Sequence, residues 1–263
     1  MRRVAVVAPA ALAVLLLLAS ARAGASSGRA PVSVAATPAR VTIVGSGRTT
    51  IQVTNSGSRR VEIEVRRAGF ALDLRGRPKI VRRGRIGRAA VSWLTVRPRR
   101  LVLPPGTKRP LTIASSVPRR ARPGDHNALV LLTTRPIRGA RVAVRMRLGI
   151  VVVVRAAGRT SRRLELRKLR VRRLGSRRML DLLVANLGNV TEVLEHERVT
   201  VILRRGDQIV AKLHPPAREL LPQTTGLVQA RYTGRVRGPV TALVQLSSES
   251  GGGTLRRAFH IRL

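Results

Sequence analysis

The chain has 263 residues, enough for one large domain or two of ordinary size, and its 52 Lys and Arg against 12 Asp and Glu give a formal charge of +40. A hydrophobic fraction of 44% excludes disorder by composition. Cys is absent, which excludes disulfides, thiolate metal sites and a Cys nucleophile.

Met1, Arg2 and Arg3 form a short positive segment, and Val4 to Ser20 is a mostly apolar run. Ala21, Arg22 and Ala23 then give a small-residue cleavage pattern, so residues 1–23 read as a secretory signal peptide cut after Ala23. No later run is long enough to span a bilayer as a helix: Leu148 to Val154 is strand-sized.

Beyond that segment, alternation with a period of two replaces helical periodicity. Ile51 and Val53 alternate with Thr50, Gln52 and Thr54; Val61, Ile63 and Val65 with Glu62 and Glu64; Phe70, Leu72 and Leu74 with Ala71 and Asp73. Turn residues fall between the runs, at Asn55 to Ser58, Arg75 and Gly76, Pro104 to Gly106, and Pro123 to Asp125. The pattern predicts an all-β chain of two tandem immunoglobulin-like β-sandwiches. The small, polar stretch Ala157 to Ser161 reads as a linker, with the first sandwich over residues 24–156 and the second over 162–263. The second half repeats the first: Val53, Asn55 and Gly57 have counterparts in Val184, Asn186 and Gly188.

Ile80 to Ala90 reads as a mobile basic loop. With its approach it supplies Arg75, Arg77, Lys79, Arg82, Arg83, Arg85 and Arg88, a candidate surface for a polyanion. Glu62 and Glu64 share a solvated strand face, where cross-strand ion pairs are expected. Glu192, Glu195, His196 and Glu197 are the densest acidic group and read as an ordinary surface loop, since no second nitrogen ligand lies near. Arg205, Gly206 and Asp207 read as a hairpin turn. No nucleophile elbow, zinc-binding helix or phosphate loop occurs, so no enzyme activity, cofactor, metal site or small-molecule substrate is expected. Specific nucleic-acid readout is not expected either, because Trp93, Tyr232, Phe70 and Phe259 are the only aromatics.

Several segments then resemble a known family. Pro31 to Val34, Thr37 to Val41, and Ile51, Val53 and Asn55 resemble the opening of the PapD-like periplasmic pilus-chaperone domain. Trp93 and Leu94, then Leu101, Leu103, Pro105 and Gly106, fit its middle. Val117 and Pro118, Pro123 and Gly124, Ala128 to Leu132, and the alternating run Arg141 to Arg155 fit its closing strands. The same pattern is similar to the peptidoglycan-binding domain of proteins that partner WxL proteins on bacterial surfaces, which carry a second sandwich. That family usually ends in a membrane helix, whereas Phe259 to Leu263 reads as a final strand, so an anchor of that type is expected to be missing.

The resemblance implies an exported, non-catalytic envelope protein at the cell surface, cell wall or periplasm. Its partners would be anionic cell-wall polymer or other surface and secreted proteins; the alternative is a pilus-type assembly chaperone acting by strand donation. Pilus chaperones hold a subunit's terminal carboxylate with two basic residues. Arg40 matches the first, and Val151 stands where the second belongs. Val142, Val144 and Met146 are the candidate partner-strand edge, an overhang of the long closing strand.

Overall fold

The computed structural model describes residues 30–81, 89–136, 145–175, 177–195, 197–247 and 253–263. The proposed signal segment, Arg82, Arg83, Arg85, Arg88, Val142, Val144 and His196 lie outside the described residues. The chain is a pair of β-sandwiches.

The first is built from β1 (Val34–Thr37), β2 (Arg40–Val44), β3 (Gly47–Asn55), β4 (Val61–Leu72), β5 (Pro78–Val81), β6 (Leu94–Arg97), β7 (Arg100–Leu103), β8 (Lys108–Ser115), β9 (Gly124–Thr134) and β10 (Arg147–Ala156). One sheet runs β1-β3-β8-β6. The other runs β2-β10-β9-β4-β5, with β7 also on β4. Inward residues of both sheets, among them Ile51, Ile63, Leu94, Leu103, Leu111, Ile113, Leu132 and Ile150, are almost fully buried and form one core. Alternation places them there, since one face of each strand must leave water.

The second sandwich follows a short connection. It holds β11 (Leu164–Leu174), β12 (Arg177–Asn186), β13 (Glu192–Leu194), β14 (Val199–Arg205), β15 (Gln208–Leu213), β16 (Arg218–Leu220), β17 (Thr224–Tyr232), β18 (Pro239–Ser247) and β19 (Thr254–Arg262). Its sheets are β11-β12-β17 and β15-β14-β18-β19, with the small pair β13-β16 at the end nearest the first sandwich. Leu180, Leu182, Leu203, Ala242 and Val244 belong to its core.

Three local expectations change. The runs Val61 to Val65 and Phe70 to Leu74 are not two strands, because β4 is continuous from Val61 to Leu72. It changes partners rather than ending: β7 faces Val61 to Glu64, and β5 faces Gly69 to Leu72. The basic loop is also partly strand, since Pro78 to Val81 pair with β4. Glu192 does not lie in a surface loop. It is 1% exposed, and its carboxylate accepts from Arg162 Nη1 at 2.8 Å and Arg198 Nη2 at 3.4 Å. The Gly206–Asp207 turn does join β14 and β15, with Arg205 opposite Gln208.

Candidate functional site: the interdomain cleft and the free edge of β10

β2 and β10 run parallel from Arg40 opposite Val151 to Val44 opposite Arg155. Before Val151, β10 has only one neighbour, β9, which pairs with it from Arg147 to Ala156. The segment Arg147 to Ile150 is therefore an open edge among the described residues. The direction of its backbone groups follows from two fixed points. Val151 N–H donates to Ala39 O at 3.0 Å, toward β2, and Met146 O accepts from Thr134 N–H at 2.9 Å, toward β9. Alternate residues of a strand turn their backbone groups to the same side. Arg147 and Gly149 thus present N–H and C=O to the open edge, while Leu148 and Ile150 bond back to β9.

Side chains follow the same parity. Ile150 is 1% exposed in the first core, and Leu148 and Met146 pack against that core while only half-buried. An apolar row therefore emerges from the core beside a row of unpaired backbone groups. Met146 itself does not overhang the sheet: its N–H donates to Thr134 Oγ1 at 2.9 Å. Of the proposed edge residues Val142, Val144 and Met146, the first two lie outside the described residues, and the open edge among the described residues runs from Arg147 to Ile150.

Arg40 stands at the end of this edge, in the cleft between the sandwiches. Val151 is its direct neighbour across the ladder, so the cleft position expected to be basic is apolar and adjacent to Arg40. The Arg40 guanidinium makes a close ion pair with Glu219 of β16. The other carboxylate oxygen of Glu219 is buried without a hydrogen-bond partner. Next to it, Arg218 donates to Leu74 O at 3.1 Å and Asp73 O at 3.2 Å in the β4–β5 turn, and Leu227 N–H donates to Leu74 O at 2.7 Å. Phe70 and Leu129 of the first sandwich meet Leu221 of the second in a small buried cluster, against which Val151 packs. Burying a side chain of this size stabilises by roughly 1.5–3 kcal/mol, so the cluster holds the cleft shut at its base.

A second contact fixes the back of the cleft. Asp125, on β9, is fully buried. Its carboxylate accepts from Arg155 at 2.7 and 3.1 Å and from the Thr191 amide at 2.8 Å. Burial alone would raise its pKa, but the Arg155 hydrogen bonds and the Thr191 amide outweigh it and hold the carboxyl below the ordinary aspartate range. Asp125 N–H also donates to Asn189 O at 2.8 Å. Sequence reasoning missed Asp125, Arg155 and Glu219 as interdomain ties. Nothing local marks them, because each partner lies at least thirty positions away.

The polyanion candidates Arg75, Arg77 and Lys79 lie on the β4–β5 turn and the start of β5, all on the surface or close to it. A different basic feature sits where the chain crosses between the sheets of the first sandwich. There a cavity of about 460 Å³ opens between β4 and the β6–β7 connection, lined by Arg66, Arg67, Arg99 and Arg100. Glu64 is its single acid and already pairs with Arg66 at 2.8 Å.

Comparison with solved structures finds this two-domain architecture elsewhere. A chain from a structure described as a chaperone–tip adhesin complex vital for activation of CFA/I fimbriae biogenesis matches with a TM-score of 0.50 and 12% identity, covering 86% of this chain and 98% of that one. The chain has the PapD-like chaperone fold. The YadV chaperone matches at a TM-score of 0.47 and 10% identity, over 88% of this chain and 99% of that one. A chain from the chaperone–tip subunit pre-assembly complex of the archaic Csu pili of Acinetobacter baumannii matches at 0.47 and 14% identity, over 87% and 98%. No protein-family model matches the sequence, and no curated protein matches it.

Proposed function

We propose that this is an exported, non-catalytic protein that captures a surface or secreted protein by strand addition along β10. The observation that carries the reading is the open edge at Arg147 to Ile150, where unpaired backbone groups run beside an apolar row continuous with the core. An incoming strand would gain main-chain hydrogen bonds from Arg147 and Gly149. It would cover Met146 and Leu148 with its own apolar residues. Arg40, at the end of this edge, is the natural partner for a carboxylate on the captured chain. The structural neighbours described as chaperone–adhesin complexes support partners of this class.

The test is a pulldown of the tagged chain with exported proteins encoded beside its gene. Gly149→Pro removes the N–H offered to the open edge and leaves the β9 ladder in place, as proline is tolerated on an edge facing solvent. A Cβ at Gly149 meets only ordinary contacts, the nearest being Leu129 at 3.6 Å. Capture should fall at least tenfold with an unchanged Tm. Undiminished capture by Gly149→Pro overturns strand addition at this edge.

A second reading, retention on anionic wall polymer, is favoured by the arginine-lined cavity between β4 and the β6–β7 connection. Its measurement is a salt wash, because screening shortens the Debye length to about 3 Å at 1 M. Release of the protein supports charge-held retention, and full retention argues against it.

A further inference from the structure

Among the described residues, buried charges are paired, with one exception. Asp125 and Glu192 each receive hydrogen bonds from guanidinium groups. Arg178 has no such counterpart. It lies on β12 with the parity of Leu180, Leu182 and Val184, which fill the second core, so strand alternation turns its side chain inward. It is 9% exposed. Its Nε is buried without a hydrogen-bond partner, and no described carboxylate pairs with it.

Its surroundings make the imbalance worse. Across the ladder Arg178 faces Arg173 on β11 and Tyr232 on β17. Burial, then the Arg237 and Arg173 charges, push its pKa below the ordinary arginine range. Arg237 is held in place, since its Nη1 donates to Gly234 O at 2.8 Å and Val236 O at 3.0 Å. That loop is pinned in turn by the Tyr232 hydroxyl, which accepts from Val236 N–H at 3.1 Å. Three guanidinium groups are thus gathered at one end of the second sandwich, one of them with its Nε out of water. A buried cation among cations is unfavourable unless an anion joins it.

We propose that Arg178, with Arg173 and Arg237, forms a binding site for a compact oxyanion of the phosphate class. A guanidinium presents forked donors that match two oxygens of such an anion, and the anion's charge of about −2 offsets most of the positive charge of the three. The site is independent of the β10 edge and of the interdomain cleft.

The experiment is thermal unfolding of the full chain against inorganic phosphate, with chloride holding the ionic strength constant. The Tm should rise with phosphate and saturate. Arg178→Met should lose that rise, with an apparent Kd at least tenfold weaker, and its Tm without phosphate should equal or exceed that of the unsubstituted chain. Arg177→Gln removes the same charge from an exposed neighbour and should keep the rise, which separates a site from general polycation behaviour. Should Arg178→Met fail to fold, Arg237→Gln on the surface loop tests the same site. A glycerol phosphodiester oligomer in place of inorganic phosphate distinguishes the source. A response to both assigns a polymer-borne phosphate, a response to inorganic phosphate alone assigns the free anion, and either keeps the site. Absence of any rise above chloride, or equal titration by Arg178→Met, overturns it.

Discussion

The two sandwiches close the same end with the same device and put it to different use. In the first, Asn55 is fully buried at the end of β3; its Nδ2 donates to Arg59 O, Leu103 O and Pro104 O, and its Oδ1 accepts from Gly57 N–H at 3.0 Å. In the second, Asn186 is fully buried at the end of β12; it donates to Val190 O and Leu220 O, and accepts from Gly188 N–H at 2.9 Å. A Cβ at Gly57 would lie 2.8 Å from Pro31 O, and one at Gly188 would lie still closer to Ser161 O, so both positions require glycine for the chain to pass. Among the described residues, the second turn alone does interdomain work. Asn189 donates to Pro123 O at 3.2 Å, and Thr191 N–H reaches Asp125. A repeated structural solution has become a joint at one copy and has stayed a plain closure at the other.

The sharpest break in the comparison is to remove each Asn. Asn55→Ala removes donors from three carbonyls, of which only Leu103 O is buried, and Pro104 O keeps Thr107 as a donor, whereas Asn186→Ala removes them from two buried carbonyls. Each should destabilise by about 3 kcal/mol, with Asn186→Ala the larger. Urea unfolding of both variants measures the order. Equal or reversed costs would mean that the turns do not bear the load their hydrogen bonds suggest. Glu192→Ala comes next at about 3 kcal/mol, because it leaves Arg162 and Arg198 facing each other without their shared carboxylate. The first sandwich has no equivalent among its described residues.

How far this was legible varies residue by residue. The repeat Val53, Asn55, Gly57 against Val184, Asn186, Gly188 was readable because a turn is a local event, set by neighbours in sequence. Alternation likewise gave the strands, since one buried face per strand writes itself into every second residue. The continuity of β4 was not readable: Arg66 and Arg67 interrupt the apolar period where the strand exchanges one partner for another. Glu192 looked solvated because its two arginine partners lie at positions 162 and 198, and only folding brings them together. The cleft is the extreme case. Arg40 was singled out from the resemblance, but its partner Glu219 lies in the other sandwich, where no local pattern distinguishes it from a surface acid.

Asp125→Asn sharpens the comparison at the joint. It should cost about 2 kcal/mol and loosen the two sandwiches without unfolding either, because both cores stay intact. Limited proteolysis at residues 157–163 should accelerate. The pH dependence has a definite sign. A carboxyl whose folded pKa is depressed contributes stability that is fully present above its unfolded value, about 3.9, and is lost as pH falls through the lower folded value. The unsubstituted chain should therefore lose interdomain stability below about pH 4, and Asp125→Asn should lack that component.

Glu219→Gln should have the smallest effect on stability and the most informative effect on the cleft. Both members of the Arg40–Glu219 pair are partly exposed, with side chains 35% and 28% accessible, so breaking it should cost no more than about 1 kcal/mol. The consequence for binding runs the other way. If Arg40 receives a carboxylate from a captured chain, Glu219 competes for the same guanidinium within the protein. An internal competitor worth about 1 kcal/mol weakens capture by about fivefold, so Glu219→Gln should strengthen it by that factor. Arg40→Ala should weaken capture, and the double variant should behave as Arg40→Ala alone, since without Arg40 there is nothing left for Glu219 to occupy. A pulldown series at fixed ionic strength reads all three. Equal capture by Glu219→Gln and the unsubstituted chain would leave Arg40 as a structural tie between the sandwiches, and strand pairing along β10 would then act without a charged anchor.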